Sequence, residues 1–211
     1  LRRCPIKESG VFTAWSLNRG LAGLLLLAVF LPCCVSSGVS GPFALVPSEG
    51  GHARFSEEGL TVSARHLGED DSAKYLEGKG FVSLSGDLKK LELFVIFLEV
   101  INQTGKETII DPGGIRFLTG YGLTLSPRNY AHLYSDLPPG PAREEVLKGF
   151  HRISLSRMEI IPPGASLERI LFFSRPEKVG DQTGLFLGSL YVGGKSLDNV
   201  LLSFKAVPLE E

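Results

Sequence analysis

Residues 91–101 read LELFVIFLEVI, and Asn102-Gln103-Thr104-Gly105 follows at once. Only Glu92 and Glu99 interrupt the apolar run, so any regular element built from it is apolar on both faces. The length allows a helix, but enrichment in Phe, Val and Ile and the abrupt polar turn favour a strand. A strand apolar on both faces belongs at the centre of a sheet, with a partner on each side and cover above and below.

Those partners are sought outward from it. Upstream, Leu60, Val62 and Ala64 alternate with Thr61, Ser63 and Arg65, the two-residue period of a half-buried strand. Gly68-Glu69-Asp70-Asp71-Ser72 breaks that pattern, and Phe81-Val82-Ser83-Leu84-Ser85 resumes it. Downstream, short strands are predicted at 108–110, 115–118 and 122–125 around the turn Asp111-Pro112-Gly113-Gly114. Residues 153–156 and 158–160 lead to Pro162-Pro163-Gly164, and three longer strands follow at 166–174, 183–192 and 197–206. Residues 129–135 and 142–150 look helical or irregular on either side of Leu137-Pro138-Pro139-Gly140-Pro141. Frequent turns between many short strands predict an all-β antiparallel sandwich, with a short helical, Pro-rich insertion at one end or edge.

The N-terminal part has a different character. Residues 21–31, LAGLLLLAVFL, form an unbroken apolar stretch after Arg19, too short for a spanning helix of about 20 residues. A charged lead, an apolar core and a break into Ser36-Ser37-Gly38 predict a cleaved secretory signal helix. Phe30-Leu31-Pro32-Cys33-Cys34 resembles a bacterial lipobox, with Leu31 three positions before Cys34. Cys34 is the expected lipidation site, with Cys33 and an ordinary cleavage around Ser36 to Gly38 as the alternatives. The predicted organisation is a signal peptide with a lipobox-like end over 1–34, a polar tether over 35–58 and a β-sandwich domain over 59–207.

Charge bounds the partners. Without residues 1–34, Lys+Arg falls from 22 to 18 and Asp+Glu from 23 to 22, leaving a net charge of −4. A mildly acidic domain lacks the basic footprint of a nucleic-acid binder, so no nucleic-acid partner is expected. Anionic headgroups offer it no attraction either, so membrane attachment would come from the lipid. All three cysteines lie at Cys4, Cys33 and Cys34, so the folded part has no internal disulfide to rely on.

Three stretches carry a family resemblance: residues 95–104, VIFLEVINQT; Ile109-Ile110-Asp111-Pro112; and Ile160-Ile161-Pro162-Pro163-Gly164 before Leu171-Phe172-Phe173. Together they resemble uncharacterised bacterial envelope proteins with immunoglobulin-like sandwiches, over roughly residues 60–206. The resemblance implies an immunoglobulin-like fold and an extracytoplasmic, membrane-anchored location in the bacterial envelope. It transfers no catalytic residue, and the Cys…Trp…Cys core of antibody domains is missing.

Chemistry-bearing motifs are sparse. His52, His66, His132 and His151 lie in separate segments with no zinc-pair spacing, and Met158 is the single methionine, which argues against a soft copper site. His66 with Glu69, Asp70 and Asp71 is the nearest polar constellation, a weak divalent-ion candidate against the plainer reading of a solvated turn. No G-x-S-x-G elbow or P-loop occurs, and Gly78-Lys79-Gly80 and Gly193-Gly194-Lys195 read as hairpin turns. Asn102-Gln103-Thr104 matches a glycosylation sequon but reads as a turn. Neither a catalytic residue nor a metal or cofactor is expected. Interaction residues are sought in 127–152, where Arg128, Tyr130, His132, Tyr134, Arg143 and Arg152 gather near Phe150; Tyr and Arg recur at binding hot spots. The expectation is a non-catalytic binding or structural module with an envelope protein partner. The competing expectation is an envelope hydrolase using a carboxylate pair on the same scaffold.

Overall fold

A computed structural model of the chain describes residues 38–41, 43–48, 53–81, 91–180, 182–198 and 200–209. The signal segment with Cys33 and Cys34, His52, and residues 82–85 of one expected strand lie outside the described residues.

The 91–101 stretch is a central strand. Numbering strands in chain order, β5 (Leu93–Asn102) pairs antiparallel with β4 (Leu60–Leu67) on one side and β10 (Ser166–Ser174) on the other. β3 (Ala53–Glu57) completes a four-stranded sheet in the order β10-β5-β4-β3. Successive side chains alternate between faces. Phe94, Ile96, Leu98 and Val100 point into a core shared with a second, five-stranded sheet. That sheet runs β2 (Phe43–Pro47), β15 (Val200–Pro208), β12 (Thr183–Leu187), β7 (Ile115–Leu118), β8 (Thr124–Leu125). Phe94, Phe117 and Phe173 mark the centre of the contact, with ring centroids 4.8–5.8 Å apart.

The opposite face of β5 is covered by helices over its first half. Leu93 and Val95, with Leu67, Ile170 and Phe172, form a second core with residues of α1 (Glu69–Gly78), α2 (Tyr130–Asp136) and α3 (Pro141–Ile153). In α3, Val146, Leu147, Phe150 and Ile153 recur at helical spacing and are buried. The double burial of β5 therefore stops near Phe97, beyond which Glu99 and Ile101 are only partly covered.

Smaller elements close the ends. β6 (Thr108–Ile110), β9 (Glu159–Ile161), β13 (Leu190–Val192) and β14 (Lys195–Ser196) make a third antiparallel sheet. β1 (Val39–Ser40) pairs with β11 (Lys178–Val179). The Gly193-Gly194 hairpin joins β13 to β14, both glycines at positive φ as a two-residue turn of this hand requires. The chain is thus rich in antiparallel β-structure, with a helical layer on one outer face.

Several expectations are corrected. Residues 35–58 are not only a tether: they contribute β1, β2 and β3, and Phe43, Leu45 and Ala53 are buried in the core. The 128–150 segment covers a sheet face rather than just an edge, because its apolar stripe matches the outward side chains of β5 and β10. Its flanks do cover an edge: Arg128 N–H donates to Phe172 O at 2.7 Å, and Leu155 N–H donates to Ile170 O at 3.0 Å, along β10. Gly68–Ser72 opens α1 instead of a loop, its Glu69, Asp70 and Asp71 sitting in the first turn where the helix dipole favours negative charge. Gly78-Lys79-Gly80 ends that helix rather than turning a hairpin. Gly80 has φ 83°, Gly80 N–H donates to Glu77 O and Phe81 N–H donates to Leu76 O, the paired bonds of a Schellman stop. The predicted strand 183–192 is split at Gly188-Ser189, where the chain leaves the five-stranded sheet for the third one.

Candidate functional site

α2 starts because Asn129 and His132 cap each other: His132 N–H donates to Asn129 Oδ1 and Asn129 N–H donates to His132 Nδ1, both at 3.1 Å. Leu133 and Leu137 anchor it to the second core. Tyr130 and Tyr134, one turn apart, are left on the outer side, stacked at 6.2 Å with an interplanar angle of 22°. They are about half exposed. Behind them, the Arg143 guanidinium lies 3.5 Å from the Tyr134 ring centroid and donates to Tyr134 O, tying α3 to α2.

Between these helices lies a cleft of about 790 Å³. Tyr130, Ala131, Tyr134 and Leu147 supply its apolar wall; Glu144, Lys148, His151 and Arg152 on α3 supply the polar one. His151 Nδ1 and Ser156 Oγ are hydrogen-bonded at 3.3 Å. Small-molecule sites span about 300–1,000 Å³, so the cleft is of ligand size.

A second cleft, of about 370 Å³, shares Asn129 and Ser156 with the first. Arg116, Arg128, His132 and Arg157 line it, with Asp111 as the one carboxylate among the described lining residues. Arg128 also pairs with Asp136 at the far end of α2.

Of the six interaction residues expected from the sequence, Tyr130, Tyr134 and Arg152 thus share one cleft, and Arg128 and His132 the adjoining one. Arg143 supports Tyr134 instead of lining either. Glu144, Lys148 and His151 were legible as one helical face of 142–150 and the residue after it, at spacings of four and three. Arg116 and Arg157 had no local signal, because only the tertiary fold brings β7 and the 155–157 segment to one cleft.

The His66 constellation is not assembled. The His66 side chain sits between the sheets beside Phe43 and Phe94, at 6.5 and 6.2 Å, and its Nδ1 accepts the Leu45 N–H at 3.2 Å. Burial, aided by the Arg175 charge, lowers its pKa to about 4. Among the described residues no group of three His, Cys, Asp or Glu side chains could hold a metal ion. Asn102 is fully buried; its Nδ2 donates to Lys106 O and Ile161 O while its Oδ1 accepts from Thr104, so the sequon is an internal brace.

No protein-family model and no curated protein matches the chain. Among solved structures it is similar to a functionally unknown protein from Listeria monocytogenes EGD-e, at 14% identity and a TM-score of 0.39, over 81% of this chain and 88% of that one.

Proposed function

We propose that the chain is an exported bacterial envelope protein, anchored through a lipid on Cys34, whose domain is a non-catalytic binding module. The observation that carries the binding reading is the stacked, half-exposed Tyr130–Tyr134 pair, held rigidly by the Asn129–His132 cap and Arg143 over a ligand-sized cleft. Tyr gives large contact area with few rotatable bonds, and loops or short helices on a rigid sheet scaffold commonly carry recognition. The partner on this reading is an envelope protein that inserts side chains between α2 and α3.

Two stacked antiparallel sheets over one core support an immunoglobulin-like architecture. The strand order is a variant, since β3, β4 and β5 are consecutive neighbours in one sheet whereas the antibody order places strands B and C in opposite sheets. Among the described residues, these clefts offer the hydrolase reading few paired carboxylates. Glu144 lines one cleft and Asp111 the other, and Glu57 and Glu58 meet only at a recess of about 90 Å³, room for about three waters.

One experiment with two arms tests the proposal. Intact mass and membrane partitioning of wild type should show a diacylglycerol-sized increment that Cys34→Ser abolishes; an unmodified product cleaved after residue 34 would remove the anchor. In cells, a photo-crosslinker at Tyr134 should give a discrete protein adduct that Tyr130→Ala suppresses. An identical adduct from a crosslinker at exposed Lys205 would remove the cleft.

A further inference from the structure

The arginine-lined cleft includes the Asn129–His132 cap that also fixes the Tyr pair, and its composition is unusual for a domain of net negative charge. Its walls converge through β10. Arg128 N–H and Leu155 N–H bond to Phe172 O and Ile170 O, two residues apart on one strand edge. The segments carrying Arg128 and Arg157 are therefore brought within about 7 Å of each other at the backbone. Arg116 reaches the same cleft from β7.

Arg116, Arg128 and Arg157 put three positively charged residues around one cleft of about 370 Å³, a lining that favours an anion. The carboxylates nearby neutralise them incompletely. Glu159 lies 3.1 Å from Arg169 and only 3.7 Å from Arg157, whose side chain remains 68% exposed. Arg116 donates from Nη1 to Gly113 O and Ile115 O and has no carboxylate partner among the described residues. Arg128 is paired with Asp136, yet its buried Nε finds no acceptor among the described residues. Asp111, the lining carboxylate, already accepts the Gly113 N–H at 2.8 Å as the cap of a turn. Ser126, Ser156 and Asn129 add neutral polar groups to the wall.

We propose that the cleft between Arg116, Arg128 and Arg157 is an oxyanion site that takes a phosphate or carboxylate group of the bound partner. Guanidinium groups match both oxyanions in planar, two-bond geometry. This deepens the binding reading and rests on it for the partner, because the two clefts share Asn129 and Ser156 and one ligand can span them. The anion site itself stands on its own residues.

The test is titration of the full-length chain with inorganic phosphate, and in parallel with acetate, at constant ionic strength set by chloride. Thermal melting and NMR shifts of the arginine side chains are followed. Phosphate should raise Tm by an amount that grows with the logarithm of its concentration above Kd, while the arginine side-chain shifts saturate. Arg157→Gln, exposed and outside the fold's backbone bonds, should weaken phosphate at least about tenfold, while Lys205→Gln leaves it unchanged. Arg116→Gln should do the same as Arg157→Gln; should loss of its carbonyl contacts unfold the chain, Arg157→Gln alone decides. Saturation by phosphate only assigns a phosphoryl group, and saturation by acetate as well extends the site to carboxylates. Arginine shifts that do not saturate, or a phosphate response that both arginine variants retain, overturn the proposal. Saturable phosphate binding without a Tyr134 adduct would remove the Tyr cleft and leave the anion site; an adduct without phosphate binding would do the reverse.

Discussion

His66 illustrates how one side chain changes meaning between sequence and fold. Beside Glu69, Asp70 and Asp71 it reads as a polar cluster, but strand alternation turns it inward while the acids begin a helix. Its imidazole accepts the N–H of Leu45, linking β4 to β2 of the other sheet. A folded pKa of about 4 lies below the ordinary 6.5, so between those values the unfolded chain binds the proton that the folded chain refuses. His66 therefore contributes fully above pH 6.5, and its contribution is lost as pH falls toward 4, about 3 kcal/mol in all. Urea midpoints measured from pH 7 to 4 should decline accordingly. In His66→Phe that part of the decline should vanish, at the cost of the bond to Leu45.

At the element scale, the two faces of β5 and β10 separate two cores. On β5, Phe94, Ile96, Leu98 and Val100 meet the five-stranded sheet, and Leu93, Val95 and Phe97 meet the helices. β5 was legible because its apolar run has no polar face to expose. The helices were half legible. Their apolar spacing is plain in α3, but Pro138, Pro139 and Pro141 between them gave no sign of what they cover. Phe150, fully buried with its ring 5.0 Å from Phe172, joins the layer to β10. Phe150→Ala should cost about 4 kcal/mol, since truncating a buried Phe leaves a cavity that packs back only partly. Hydrogen exchange should show protection lost first in α2 and α3, with β12 and β15 retaining theirs.

For the whole molecule, the decisive finding is that the strands Phe43–Pro47 and Ala53–Glu57 belong to the fold. β2 pairs with β15 over five residues and β3 with β4 over five, although the segment is rich in Ser, Gly and Pro. Phe43 and Leu45 together bury side chains worth about 3–6 kcal/mol, comparable with the net stability of about 5–15 kcal/mol typical of a domain. A chain beginning at residue 59 should therefore lose cooperative thermal melting, followed by calorimetry, whereas a dispensable tether would leave the transition intact.

The sequence by itself determined the β-rich class, the central strand read at 91–101, the strand at 166–174 and the Tyr- and Arg-rich segment beside Pro-rich turns. Each of these is written in local periodicity or composition, which a short window of residues contains completely. Only the tertiary structure decided that β2 and β3 complete the two sheets, that helices cover one sheet face, and that Arg116, Arg128 and Arg157 line one cleft. Those are contacts between segments far apart in the chain. Burial of complementary apolar faces selects them, and that complementarity exists only once both faces are formed.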